Sequence, residues 1–334
     1  MRLGLLLIAA LGASFGIDQL VTVDKDIGPP AGPVTVTATP LTLMSSQPAV
    51  DHLGSLHFIA AWHLKSPDPS FGGISSLLVE PDGQLLGLSD TGLLTGLGRP
   101  PASGGKQVIR SLPVFERERH WPRFKMDTES MVTNPKTGRS WVGFELQQRI
   151  CRYSAGFTQV EACRVWPEMM RWPSTGGPEA MVRLTDGRFL VFSEMGNGPD
   201  TGNDLLLFSG DPASPRTKAP IRMNYVPPQG YRPTDAVSIG KNRLLVLNRR
   251  ATLYDGFTAM LALVDIGDMK PRAVLRAQTL ALLAPPVLAD NFEALAVEQR
   301  GGRTILWIAS DDNHKFFQRT LLLEFALPPE LSLP

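Results

Sequence analysis

The sequence predicts an all-β protein folded as a single β-propeller of four-stranded blades, and three observations carry that expectation. The first is a repeated unit: an acid or hydroxyl, a short apolar run, a turn, a second apolar run and a closing polar residue. It is clearest where Glu179 leads Ala180-Met181-Val182, Asp186-Gly187 marks a turn, and Phe189-Leu190-Val191-Phe192 runs on to Glu194. The second is the spacing. The leading positions Ser75, Glu129, Glu179, Asp235 and Glu293 lie 54, 50, 56 and 58 residues apart, and a period of about 50 residues built from strands marks a propeller. The third is the remainder of each period, which holds two more strand-like runs, such as 204–208 and 219–225, or 257–266 and 272–280.

Within the unit, Asp186-Gly187 reads as a two-residue type I′ hairpin turn, because both central residues of that turn need positive φ. The last unit has only three strands of its own, ending at 319–325. The apolar run 56–64 is placed to supply the fourth and so to join the two chain ends. The repeat count predicts five blades closed in this way, with six as the alternative if 34–44 also enters the ring.

At 334 residues the chain suits one large domain. A single repeat cannot bury both its faces alone, so the units must stack on one another. The hydrophobic share of 43% and charged share of 19% are those of an ordinary globule, and the 31 Gly and 29 Pro suit many turns. A net charge of +1 gives no electrostatic reason to invoke nucleic acid or an acidic membrane surface. Met1-Arg2, the apolar run 3–13 and Ser14-Phe15-Gly16 read as a secretory signal peptide over 1–16, or an uncleaved anchor. A Pro-, Thr- and Gly-rich lead-in, partly flexible, follows over 17–54. The propeller is expected over 55–328 with a tail at 329–334, as a periplasmic or secreted monomer without a stable membrane span after cleavage.

Cys151 and Cys163 lie symmetrically about residue 157, so on one antiparallel hairpin they fall opposite each other. With an export signal, a disulfide is favoured over two reduced thiols. Their spacing matches no zinc pattern.

The innermost strand of each blade borders the central channel, so equivalent repeat positions form a ring around it. Four leading acids, Glu129, Glu179, Asp235 and Glu293, then converge with Ser75. A second tier follows at the end of the next strand: Asp90, Glu145, Glu194, Arg249 and Asp311. Converging carboxylates either take up protons or share a cation. Oxygen donors without thiolate favour Ca²⁺, with Glu129, Glu179, Asp235, Glu293 and Asp311 as ligands. Carboxylates holding a metal beside Arg249 suit ester or phosphoester hydrolysis. Glu129, Glu179, Glu293 and Arg249 are then the catalytic candidates, and Ser75, Asp90, Arg250 and Asn313 would contact a small ester substrate. Against this stands the structural role of repeated acids, which satisfy backbone N–H groups in many turns.

The segments Phe71-Gly72-Gly73-Ile74-Ser75, Asp127-Thr128-Glu129-Ser130, Gly177-Pro178-Glu179-Ala180, Pro233-Thr234-Asp235-Ala236, Asp290-Asn291-Phe292-Glu293 and Ser310-Asp311-Asp312-Asn313, with Gln318, resemble the phytase-like family described as having esterase-like activity. The resemblance spans roughly 62–327. It implies a propeller, export, and Ca²⁺-assisted hydrolysis of an ester or phosphoester. The chain departs from the family pattern in carrying Ser130 after Glu129 and Asn248 before Arg249, and it lacks a dense basic surface for an inositol polyphosphate. The alternative function is a non-catalytic periplasmic propeller that binds a partner or small ligand on one face.

Overall fold

The structure, a computed structural model, describes residues 28–100, 105–198, 202–267 and 269–333. The signal-like start lies outside these residues. The described chain is almost wholly strand, with five single-turn 3₁₀ segments.

The strands form five sheets. The first contains Ile74–Val79, Leu85–Ser89, Leu93–Gly96 and Ile109–Ser111; the second Thr128–Thr133, Ser140–Phe144, Arg149–Tyr153 and Val160–Val165. The third contains Pro178–Arg183, Phe189–Asn197, Asn203–Phe208 and Ile221–Val226, and the fourth Arg232–Gly240, Arg243–Thr252, Gly256–Asp265 and Gln278–Leu283. The fifth begins with Phe292–Arg300, Arg303–Ser310 and Thr320–Ala326, and its fourth strand is Leu56–Lys65 from the other end of the chain, antiparallel to Thr320–Ala326. The first strand of each sheet packs on the first strand of the next, and Phe292–Arg300 packs on Ile74–Val79. This is a β-propeller arrangement.

Packing explains why the strands read as near-continuous apolar runs. Each gap between neighbouring sheets holds one buried cluster, and each strand feeds the gaps on both its sides. Phe189 and Val191 enter the cluster shared with the second sheet, while Leu190 and Phe192 enter the one shared with the fourth. The strand period of two thus divides the side chains between two interiors. The gap between the fifth and first sheets is filled the same way, by Trp62, Trp307 and Leu322 against Ile74, Leu85 and Leu93.

Three local expectations change. The hairpin at Asp186-Gly187 has a three-residue loop rather than a two-residue one. Only Gly187 has positive φ (91°); the Leu184 N–H bonds the Arg188 carbonyl, and the Gly187 N–H returns to the Leu184 carbonyl. The Asp186 carboxylate accepts the Arg188 N–H, which holds the turn without a left-handed aspartate. In the fourth sheet the outer strand is Gln278–Leu283, not 272–280, because Val274–Arg276 pairs in parallel with Ile221–Val226 of the third sheet. Part of the expected lead-in is also sheet: Val34–Leu41 pairs with Leu56–Lys65 and with Gly105–Gln107, extending the fifth sheet to seven strands. In the expected tail, Leu331 is buried in the cluster between the fourth and fifth sheets.

Cys151 and Cys163 are direct cross-strand partners, 4.0 Å apart at Cα and disulfide-bonded. That separation matches the closer, non-hydrogen-bonded type of antiparallel pair. No helix among the described residues is long and apolar enough to cross a membrane. Closing a loop of sequence separation 12 removes about 3 kcal/mol of denatured-state freedom. Reducing the bond should lower unfolding stability by an amount of that order, read from urea melts with and without reductant.

Candidate functional site

One irregularity builds the site. In every sheet the first strand carries one residue more than its neighbour at its starting end, a β-bulge. Pairing jumps from Ile74↔Ser89 to Ser76↔Leu88 around Ser75, and from Thr128↔Phe144 to Ser130↔Gly143 around Glu129. It does the same around Glu179 and Glu293. A bulged residue leaves the ladder and its side chain is re-aimed, here toward the propeller axis.

The fourth sheet corrects the sequence alignment. Its pairing jumps from Pro233↔Asn248 to Asp235↔Leu247, so the bulged residue is Thr234, not Asp235. A one-residue slip moves a strand side chain to the opposite face. Asp235 consequently leaves the ring of acids. Its carboxylate accepts the N–H groups of Ala236 (2.8 Å) and Leu295 (2.7 Å), tying the fourth sheet to the fifth. Ser76 occupies the same place in the first sheet and accepts the Met131 N–H at 3.0 Å, which establishes the equivalence independently. Asp235 is a structural clasp, and the expected metal ligand at that position is lost.

The remaining acids converge. A cavity of about 280 Å³ is lined by Asp90, Asp127, Glu129, Glu145, Glu179, Glu194, Glu293 and Asp311, together with Arg249, Arg232, Asn313, Thr175 and Met195. All five second-tier positions reach it. Of the residues expected to touch substrate, Asp90 and Asn313 line it, and two do not. Ser75 is buried with its hydroxyl unpartnered. Arg250 follows Arg249 in the strand and so points to the other face, where it pairs with Asp255 at 2.9 Å and stacks 4.8 Å from the Tyr231 ring centre.

Sequence reading missed Asp127 and Arg232 as site residues, although a signal existed. Both sit two positions before a bulge, equivalent to Gly73, Gly177 and Asn291. The N–H groups of Asp90, Glu145 and Asp311 all bond carbonyls at this position, those of Gly73, Asp127 and Asn291. Thr175 belongs to a connecting loop and Met195 to the far end of the strand Phe189–Asn197, and neither had a repeat signal. At Gly177 the absence of a side chain has a direct use: its N–H donates to Glu145 at 3.0 Å, and an added Cβ would lie 2.7 Å from the Glu145 Cγ.

The wall around Arg249 is self-neutralised. Its guanidinium meets Glu293 at 2.8 Å, Glu194 at 3.0 Å and the Asn291 side-chain oxygen at 2.7 Å. Asn291 in turn donates to Glu293 at 2.8 Å. The rest of the cavity differs, sharing only Glu194 with this wall. Carboxylate oxygens of Asp127, Glu129 and Glu145 lie within 4.8 Å of one another, and so do those of Glu145, Glu179 and Glu194. Burial, then Asp127 and Glu145, pushes the Glu129 carboxyl well above the usual range. Burial and Glu145 do the same to Glu179. Asp127 is pushed up to about 8 by burial and Glu145. Burial and Glu293 raise Asp311, and burial raises Asp90 against the pull of His314. Glu293 is raised by burial although Arg249 opposes it.

Two oxygen-rich trios sharing Glu145, with no cation among the causes acting on Glu129 or Glu179, are a donor set that fits a hard divalent ion. The chemistry of the donors favours an alkaline-earth ion over a thiophilic metal.

Comparison with known proteins identifies the class. Residues 69–314 match the phytase-like family, described as esterase-like activity of phytase. The chain belongs to that family. No protein of curated function matches it. Among solved structures, it is similar to the PQQ-bound aldose sugar dehydrogenase of Streptomyces coelicolor (12% identity over 89% of this chain and 99% of that one, TM-score 0.39). It is also similar to a luciferin-regenerating enzyme (10%, 86% and 95%, TM-score 0.43) and to the β-propeller domain of Cps50 (Swd1) from Myceliophteria thermophila (11%, 86% and 98%, TM-score 0.37). Such distant likeness does not carry a reaction from one chain to another.

Two outcomes follow from the geometry. Asp235→Ala should lower stability by about 1–3 kcal/mol, the cost of a buried N–H left without its acceptor, measured by urea unfolding. Metal binding should be unchanged in that variant. A carboxyl whose folded pKa lies above its unfolded value binds its proton more tightly when folded. Its contribution is therefore complete below the unfolded pKa and is lost as pH rises to the folded one. With Asp127 shifted from 3.8 to about 8, the melting temperature of chelator-treated protein should fall between about pH 4 and 8. Added Ca²⁺ should offset the fall most at the upper end, where the ligands are ionised.

Proposed function

We propose that this protein is an exported, metal-dependent hydrolase of ester bonds, with phosphoesters as the first substrate class. The observation that carries the proposal is the pair of carboxylate trios sharing Glu145 in a cavity whose far wall presents Arg249. Asp127, Glu129, Glu145, Glu179 and Glu194 would hold the ion or ions, and Ca²⁺ is the candidate by donor type. A bound divalent ion supplies charge stabilisation to the oxygens of the reacting ester and lowers the pKa of water.

The chain's own residues have separate tasks. Arg249, held in place by Glu194, Glu293 and Asn291, offers positive charge to an ester or phosphoryl oxygen as negative charge develops there. Arg232, lining the cavity 3.8 Å from Glu194, adds a second cation for an anionic substrate. Glu293, raised by burial but ionisable beside Arg249, accepts the proton of the attacking water. Asp311, whose carboxyl burial and Glu293 push well above the usual range, donates a proton to the leaving oxygen. Export is supported by the Cys151–Cys163 disulfide, since such bonds persist in oxidising compartments, and by the signal-like sequence at residues 1–16.

Para-nitrophenyl phosphate and para-nitrophenyl acetate test the proposal directly. Turnover should be abolished by chelator and restored by Ca²⁺, and Glu145→Gln, which touches both trios, should lose at least about a hundredfold. Arg249→Met should lose about 10²–10³-fold in kcat. Absence of turnover on both substrates in metal-loaded protein would sink the hydrolase reading. Chelator-sensitive ligand binding without turnover would instead establish a binding propeller.

A further inference from the structure

Large apolar side chains stand in water around the cavity mouth. Strand polarity places at that end the connections into each first strand and those between each second and third strand; cavity residues Asp127, Glu145, Thr175 and Asp311 lie on four of them, with Arg249 in the strand leading to a fifth. Three of these segments pair an exposed apolar residue with a neighbouring cation: Phe124-Lys125, Met170-Arg171 and Lys315-Phe316, the last followed by exposed Phe317. On a fourth, Leu253 and Tyr254 project at the tip of the hairpin that follows Arg249. Phe316 and Tyr254 are each 97% exposed.

We infer that the cavity-bearing end of the propeller docks on an anionic phospholipid surface. The apolar side chains sit on separate loop tips rather than in one groove. A fluid bilayer interface accommodates such dispersed insertion, whereas a protein partner calls for a contiguous complementary face. Charge selects the lipid. Lys125, Arg171 and Lys315 make no ion pair among the described residues, while the acids exposed on the same segments are already engaged: Glu116 with Arg119 and Asp255 with Arg250, each at 2.9 Å. The cavity carboxylates are recessed behind this rim. Aromatic rings flanked by lysine and arginine match the boundary between headgroups and acyl chains, and each adjacent cation strengthens partition onto an anionic surface by about fivefold.

The docking goes beyond hydrolysis, and its test does not read turnover. Full-length protein is sedimented with phosphatidylcholine vesicles, with and without phosphatidylglycerol. It should pellet with the anionic vesicles and stay in solution with the zwitterionic ones, and added salt should release it. The double change Phe316→Ser, Phe317→Ser should weaken binding at least about tenfold with an unaltered melting temperature, since both rings are exposed. Val108→Ser, at an exposed site that enters the strand Ile109–Ser111 from the opposite end of the propeller, should bind as the parent does. Failure of the parent protein to pellet with anionic vesicles, or equal binding by the Phe316/Phe317 variant, overturns the inference. A solution dimer that the same variant dissociates would also overturn it, by assigning the rim to a second copy of this chain.

Discussion

The site depends on one backbone irregularity used repeatedly. Each sheet starts with a first strand that holds one residue too many, and the surplus residue cannot share in the ladder. Its side chain therefore turns to the axis, where four further sheets bring their own equivalents. Glu129, Glu179 and Glu293 arrive at the site by this route, and the following strand delivers Asp90, Glu145, Glu194, Arg249 and Asp311 opposite them. Behind the bulges lie two-faced strands, packed on both sides by Leu, Val, Phe and Trp.

Gathering carboxylates has an electrostatic cost that the two halves of the cavity meet differently. Around Arg249 the charges cancel through direct pairs with Glu194 and Glu293, supported by Asn291. Around Asp127, Glu129 and Glu179 no such pair is present among the described residues, and burial with mutual repulsion raises all three. A protein that retains such an arrangement keeps a place for positive charge. Protons can fill it at low pH, and its oxygen donors are of the kind that could hold a hard divalent ion.

Not every repeated acid shares this task. Asp235 looks in sequence like Glu179 and Glu293, yet it caps the backbone N–H of Leu295 as Ser76 caps that of Met131. The outer rim is a third zone. Its exposed rings, and the cations Lys125, Arg171 and Lys315 that make no ion pair among the described residues, are available for contact outside the molecule.

Much was legible in the sequence because it is local and periodic. The 50-residue period, the alternation of apolar runs, the cross-strand cysteines and the pairing of 56–64 with the last unit need only strand geometry and counting. The second tier at Asp90, Glu145, Glu194, Arg249 and Asp311 was legible for the same reason. Tertiary structure alone decided the register at Thr234–Asp235, where two adjacent polar residues satisfy the repeat equally well and only the pairing with Leu247 and Asn248 shows which one is surplus. It also decided that Val274–Arg276 leaves the fourth sheet for the third, and that Arg250 turns away from Arg249. In each case the deciding contact lies with a strand distant in sequence, and a one-residue shift reverses the face on which a side chain stands.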